Sequence, residues 1–190
     1  LRIPFECISR ADRMTDEVAD LLADLGCFRL WIGSESGSQR VLDAMDRSVS
    51  VSQVQSAVDM CRSRGIESGM FLMWGYEGEQ LDDIEATIGH VKRTNPDIFF
   101  TTIAYPIKGT PYYGEVKDRI VSDKQWEQSS DREFSLAGRA PREFYEIADR
   151  LLRDEVELSR QTDNEMASPE LQNRINATRR QLRAALEVHA

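Results

Sequence analysis

One unit recurs along the first 115 residues of this chain: a short apolar run, a polar loop, an amphipathic helical stretch, and a glycine before the next run. "RIPFECIS" has the β-branched and aromatic content of a strand and leads into the loop "RADRMT". Thr15 can cap a helix whose first turn carries Asp16 and Glu17, with Val18, Leu21, Leu22 and Leu25 on one face and Gly26 ending it. The second run, "CFRLWIG", passes through a loop at Glu35. A short helix bearing Val41, Leu42 and Met45 follows, then another bearing Val54, Ala57, Val58 and Cys61. "RSRGIESGMFLMWGYEGE" repeats the stop and supplies a third strand near residues 69–74. Leu81, Ile84, Ile88 and Val91 mark the next helix, which Asn95 and Pro96 terminate before a fourth strand in "DIFFTTIAYP". Nearly continuous apolar strands alternating with helices specify an α/β fold with a parallel sheet covered by those helices. Its strand-to-helix loops then share one edge, where α/β barrels and open sheets build their sites. Those loops are "SRADRMT", "GSESGSQR", "GYEGEQ" and "YPIKGTP".

The pattern changes after about residue 115. Residues 116–140 read as an irregular connection with Trp126, Phe134 and Leu136 as isolated anchors, and residues 141–190 as a helical C-terminal extension. A helix after Pro141 places Phe144, Ile147, Ala148, Leu151 and Leu152 together, and Ser168-Pro169-Glu170 is a cap and first turn for a last helix carrying Leu171, Ile175, Leu182 and Leu186. The Arg-rich face of that helix, with Arg174, Arg179, Arg180 and Arg183, reads as a solvated face or a lid on the neighbouring domain before an anion site.

A net charge of −9 and a pI near 4.8 argue against nucleic-acid phosphates or an anionic membrane as the main partner and leave a small-molecule ligand open. Cys7, Cys27 and Cys61 lie far apart with no CxxC, and His90 and His189 are the only imidazoles, so structural zinc and a disulfide scaffold are not expected and a reducing cytoplasm is the default compartment. No apolar run reaches membrane-spanning length. The first residue is Leu1, already inside strand-like sequence, which suggests a piece of a longer polypeptide.

Glu35 stands at the expected carboxyl end of a buried strand between Gly33 and Gly37. A carboxylate there can accept hydrogen bonds from ligand hydroxyls or an ammonium group, with the glycines allowing close approach. The competing reading is that Glu35 with Ser36 or Ser38 caps the next helix, a contribution of about 0.3–1 kcal/mol. Arg47, twelve residues on, can pair with a carboxylate bidentately or serve the helix dipole. Glu6 and Arg10 flank the end of the first strand. Glu6 alternates with Phe5 and Cys7 and so points into whatever the strand encloses, at a cost of several kcal/mol unless paired. "GYEGE" is a plausible ligand-proximal turn, and "YPIKGTP" is explained mostly by turn formation.

The ordered segments "FECISRAD", "LGCFRLWIGSESGSQRVLDAMDRSVS", "RSRGIESGMFLMWGYEGE" and "TTIAYPIKGTPYY" resemble the radical S-adenosylmethionine (radical SAM) enzymes, most closely the subgroup with a cobalamin-binding domain, over about residues 1–115. The resemblance implies a partial (β/α) TIM-like barrel of which these are strands three to six of six. S-adenosylmethionine and a [4Fe-4S] cluster would lie at the carboxyl ends of the strands. It implies that Glu6 lies near the cofactor, that Glu35 holds the ribose with Gly33 giving access, and that Arg47 pairs with the methionyl carboxylate. Met73, Ala104 and Tyr105 would pack on adenine, and Arg10 and Ser36 join the cofactor-binding set from the same loops. The family's CxxxCxxC does not occur in these residues, nor does its amino-group-binding glycine pair, and Phe71 or Leu72 stands where some members carry a ribose-binding Asp. No catalytic or metal-ligating residue is therefore assigned to this chain. The expectation is the C-terminal portion of an enzyme that, when intact, generates a 5′-deoxyadenosyl radical, with cobalamin and the cluster held by a missing N-terminal part of the polypeptide. The alternative is a non-catalytic half-barrel that binds a nucleoside-like ligand or a partner protein. A weaker third reading is a hydrolase or aldolase fragment using Glu6 and Glu35 as acid and base.

Overall fold

The computed structural model describes residues 3–121, 135–162 and 168–187. Four strands, β1 (Phe5–Ser9), β2 (Cys27–Glu35), β3 (Glu67–Trp74) and β4 (Ile98–Ile103), form one parallel sheet in the order β1-β2-β3-β4. Between them run α1 (Asp16–Leu25), α2 (Gln39–Ala44), α3 (Val51–Ser63) and α4 (Leu81–Thr94). A short α5 (Pro111–Val116) and a small antiparallel pair, β5 (Ile120–Val121) with β6 (Ser135–Leu136), precede two long helices, α6 (Arg142–Thr162) and α7 (Pro169–Glu187). Trp126 and Phe134 lie outside the described residues, while Leu136 is buried.

The local signals act as read. Thr15 Oγ1 accepts the Val18 N–H at the start of α1, Gly26 ends it in the left-handed region at φ 94°, and Ser50 closes a capping box with Gln53 on α3. One expectation is corrected. Leu21 and Leu25 are exposed, and α1 turns Ala19 with Val18, Leu22 and Ala23 inward instead. The short alanines bring the helix down onto the sheet where a leucine stripe would hold it off.

Period two assigns the sheet faces. Leu30 and Ile32 of β2 and Met70, Leu72 and Trp74 of β3 are buried on the helix side. On the other side Trp31, Phe71 and Phe100 stack, with centroids 5.0–6.4 Å apart. Gly69 makes room for that stack, since a Cβ there would come within 2.3 Å of the Trp31 ring. The expected boundary near residue 115 does not divide the core. Phe144, Leu151, Leu152, Ile175 and Leu182 of α6 and α7 belong to the same hydrophobic cluster as Leu30, Met70 and Ile84. Glu155 of α6, 5% exposed, fastens this layer by accepting from Lys92 of α4 at 2.6 Å and Arg179 of α7 at 2.7 Å. Arg179 also pairs with Glu85, and Arg174 with Asp154, so part of the Arg-rich face of α7 is spent on helix contacts.

Candidate functional site

The four strands are parallel, so the residues following each of them gather at one edge. There the stretch Gly33 to Ser38 alternates. Ser34, Ser36 and Ser38 are buried against α4, with Ser34 Oγ 3.2 Å from His90 Nε2, Ser36 Oγ 3.2 Å from Thr87 Oγ1, and Ser38 Oγ donating to Asp83 at 2.6 Å. Glu35 points the other way, and its Oε1 lies 2.9 Å from Arg47 Nη2. Gly33 leaves the space this pair occupies, because a Cβ on it would sit 3.1 Å from both the Arg47 guanidinium and the Glu35 carboxylate.

The backbone here is strained. Glu35, Asp46 and Ser48 adopt φ of 57°, 52° and 51°, and among the described residues the one other non-glycine with positive φ is Asn95, which caps α4. Such conformations cost about 1–3 kcal/mol each and concentrate at functional sites. Arg47 is not in the last turn of a helix as expected. α2 ends at Ala44, and Arg47 lies in the following turn with its N–H on the Leu42 carbonyl at 3.2 Å. Burial pushes the Glu35 carboxyl above the usual carboxylate range, an effect that Arg47 offsets in part. Arg47 Nε is buried with no hydrogen-bond partner.

The other predicted residues divide. Arg10 reaches the same edge, where it grips Asp12 at 2.8 and 3.0 Å and donates to the Arg47 carbonyl at 3.4 Å. Met73 is half-buried near the end of β3 on the side of Phe71, opposite Thr102 of β4. Ala104 is buried, with its N–H on Trp74 O at 2.7 Å and its carbonyl held by Arg139 at 2.5 Å, and Tyr105 follows it half-buried.

Two residues are placed away from the Glu35–Arg47 pair. The Ser36 hydroxyl is spent on Thr87 and on the Ser38 N–H, so it shapes the loop and does not reach toward a cofactor. Glu6 does leave the helix side of the sheet as expected, but it pairs in register with Arg29, level with Glu67 at the start of β3. There it accepts from Arg29 at 3.2 Å and from the Trp31 indole at 3.0 Å. Six residues of β2 at about 3.3 Å each put Glu6 about 20 Å below Glu35, which removes the acid–base pair of the hydrolase reading. Gly37 gives access to nothing and packs instead on α4, where a Cβ would meet Thr87 Cα at 2.5 Å.

Sequence reasoning did not single out Glu79 inside "GYEGE". Its Oε2 accepts the Gly75 N–H at 2.6 Å, its Oε1 is buried without a partner, and burial pushes its carboxyl up to about 7. It lines a cavity of about 470 Å³ with Tyr76, Arg139, Phe144, Tyr145 and Leu186. The signal available was the pair of glycines closing a turn over a carboxylate; the covering residues come from α6 and α7, far along the chain.

Comparison with known proteins agrees with the resemblance in the motifs. The radical SAM superfamily matches this sequence over residues 1–91. Residues 1–91 belong to the radical SAM superfamily. An uncharacterised methyltransferase of Pyrococcus horikoshii is 31% identical over 111 residues, 58% of this chain and 24% of its own length. Bacteriochlorophyllide d C-12(1)-methyltransferase of Chlorobaculum tepidum is 26% identical over 105 residues, 55% of this chain and 23% of its own. The chain thus spans about a quarter of the length of these relatives. Among solved structures, the radical S-adenosylmethionine methyltransferase TsrM from Kitasatospora setae, with cobalamin and a [4Fe-4S] cluster bound, superposes with a TM-score of 0.59 at 18% identity, covering 65% of this chain and 26% of that one. That likeness is one of fold.

The radical SAM segment can be tested against the groups its family implies. S-adenosylmethionine fits: Glu35 and Arg47, brought together from two strained segments on either side of α2, offer an acceptor for hydroxyls and an unmet buried guanidinium donor. The [4Fe-4S] cluster does not fit. Among the described residues no three Cys, His, Asp or Glu side chains gather in a metal-holding group. Cys27 and Cys61 are buried in the core, Cys7 packs beside Cys27 with sulfurs 4.0 Å apart, and burial raises the Cys7 and Cys61 thiols to about 11, away from the thiolate a ligand requires. No helix among the described residues is long and apolar enough to cross a membrane.

Proposed function

We propose that this chain contributes the S-adenosylmethionine-contacting half of a radical SAM barrel, as strands three to six of six. The observation that carries the reading is the Glu35–Arg47 pair at the carboxyl edge, built on three positive-φ residues and leaving the Arg47 Nε–H without a partner. Glu35 accepts from the ribose hydroxyls, and Arg47 turns from Glu35 to hold the methionyl carboxylate. Met73, with the backbone around Ala104 and Tyr105, provides the adenine wall. Arg10 steadies the turn through the Arg47 carbonyl. In the intact enzyme S-adenosylmethionine supplies radical chemistry on a small-molecule substrate. The cluster belongs to residues outside this sequence, methyl transfer is the reaction the names of the relatives favour, and cobalamin is the cofactor that the resemblance in the motifs adds to it. β1, the edge strand with Ile8 71% exposed, is where the preceding strands would join.

The test is calorimetric titration of S-adenosylmethionine into the chain and into Glu35→Ala and Arg47→Ala. Each substitution is expected to weaken binding by about 1–3 kcal/mol, the cost of an unmade charged hydrogen bond. Binding equal to that of the unaltered chain in both variants would return Glu35 and Arg47 to purely structural roles.

A further inference from the structure

The serines on either side of Glu35 are held from outside its loop. Ser34, Ser36 and Ser38 are spaced by two, and their partners His90, Thr87 and Asp83 are spaced by three and four on α4, so one extended segment lies along one helical face. The middle partner, Thr87, joins three groups through one hydroxyl. Thr87 Oγ1 accepts the Gly37 N–H at 2.9 Å, meets Ser36 Oγ at 3.2 Å and donates to the Asp83 carbonyl at 2.8 Å. Gly37 lies so close to α4 that no side chain fits between them. Asp83 holds the next residues by accepting from Ser38, from the Gln80 N–H at 2.8 Å and from Arg40. His90 passes the lower contact on to Thr94 through Nδ1 at 3.2 Å, and Thr94 Oγ1 donates to Gln55 of α3 at 2.9 Å. Both neighbours of Glu35 are held toward the helix, the Ser36 N–H closes on the Ser34 carbonyl at 2.7 Å, and Glu35, at φ 57° in the middle of that turn, faces the opposite side.

We propose that Thr87 is a positioning residue for ligand binding: it anchors Gly37 and Ser36 to α4 and thereby turns Glu35 toward the ligand and Arg47. This rests on the reading that Glu35 and Arg47 hold S-adenosylmethionine, and it assigns part of that site's affinity to a helix that does not touch the ligand. Thr87 is fully buried.

The experiment compares Thr87→Val, which keeps the shape and removes the hydroxyl, with Thr87→Ser, which keeps the hydroxyl, and with Glu35→Ala, by calorimetric titration with S-adenosylmethionine at a temperature where each variant is folded by circular dichroism. The expected result is a loss of affinity of about tenfold or more in Thr87→Val and in Glu35→Ala, with Thr87→Ser within about twofold of the unaltered chain. The size expected for Thr87→Val is that of one or two unmet buried hydrogen bonds. Amide exchange at Gly37 should accelerate in the valine variant alone. A Thr87→Val protein that is less stable but binds with unaltered affinity, while Glu35→Ala binds weakly, overturns the proposal and leaves the ligand site standing. Unaltered affinity in Glu35→Ala removes the site itself and the proposal with it. Should Thr87→Val not fold, Ser36→Ala deletes part of the same contact from the loop side and carries the same expectation.

Discussion

Replacing Glu79 by Gln is expected to change the pH dependence of stability in a defined window. Glu79 is an acid whose folded-state value, about 7, lies above the ordinary 4.5 because burial opposes its charge, and Asp83 adds to this while the Gly75 N–H, Arg40 and Arg139 act against it. An acid raised in the folded state stabilises fully below its unfolded value, and that contribution is lost as pH rises through the folded value. Each pKa unit corresponds to about 1.36 kcal/mol, so the climb from 4.5 to about 7 removes about 3 kcal/mol of stability by pH 8. Glutamine keeps an oxygen for the Gly75 N–H and cannot ionise. The assay is urea unfolding of both proteins between pH 4 and 8. The stability of Glu79→Gln relative to the original chain should rise by about 3 kcal/mol across that range, most steeply between 4.5 and 7. His90, lowered to about 4 by burial, titrates with the opposite sign, losing stability as pH falls from 6.5 toward 4, but it is common to both proteins and cancels in the difference. Curves that stay parallel from pH 4 to 8 would refute the reasoning.

The packing makes further predictions. Gly37→Ala should cost about 2–3 kcal/mol in urea unfolding, because its Cβ meets the backbone of α4 at Thr87 Cα and Ala86 O, which cannot step aside. Glu155→Ala should cost about 2 kcal/mol and loosen α6 and α7, seen as faster amide exchange in both helices; the figure is below that of a fully buried pair because Lys92 and Arg179 keep 35% and 31% of their side chains in water. Gly69→Ala should displace the Trp31 ring and reduce the near-ultraviolet circular dichroism of the aromatic stack, while Gly109→Ala, with nothing near its Cβ, should leave that signal unaltered.

The four strands and their order of helices were legible because parallel strands buried between helices leave apolar runs punctuated by glycine, and Gly26 and Gly65 both stop where their positive φ requires. Glu35 was legible for a related reason, as a carboxylate interrupting such a run beside small residues. Its orientation was not. The fact that Ser36 and Gly37 face α4 depends on Thr87, fifty residues away, and no local pattern distinguishes that from a capping loop. Glu6 shows the converse: alternation correctly put it off the helix side, but its height along the sheet is a matter of register with Arg29 and Glu67. Glu79 became a perturbed acid through the layer of α6 and α7, whose docking onto β4 and α4 is invisible in the polar stretch that precedes it.

The account stands most directly on where S-adenosylmethionine binds. Amide and arginine side-chain NMR of the chain, titrated separately with S-adenosylmethionine, adenosine and methionine, would locate it. The account predicts that S-adenosylmethionine moves the signals of Gly33 to Gly37, the Arg47 guanidinium and Met73 together, that adenosine reproduces the Glu35 and Met73 part, and that methionine reproduces the Arg47 part. Signals that move around Glu79 and Tyr145 while Glu35 and Arg47 stay still would contradict it.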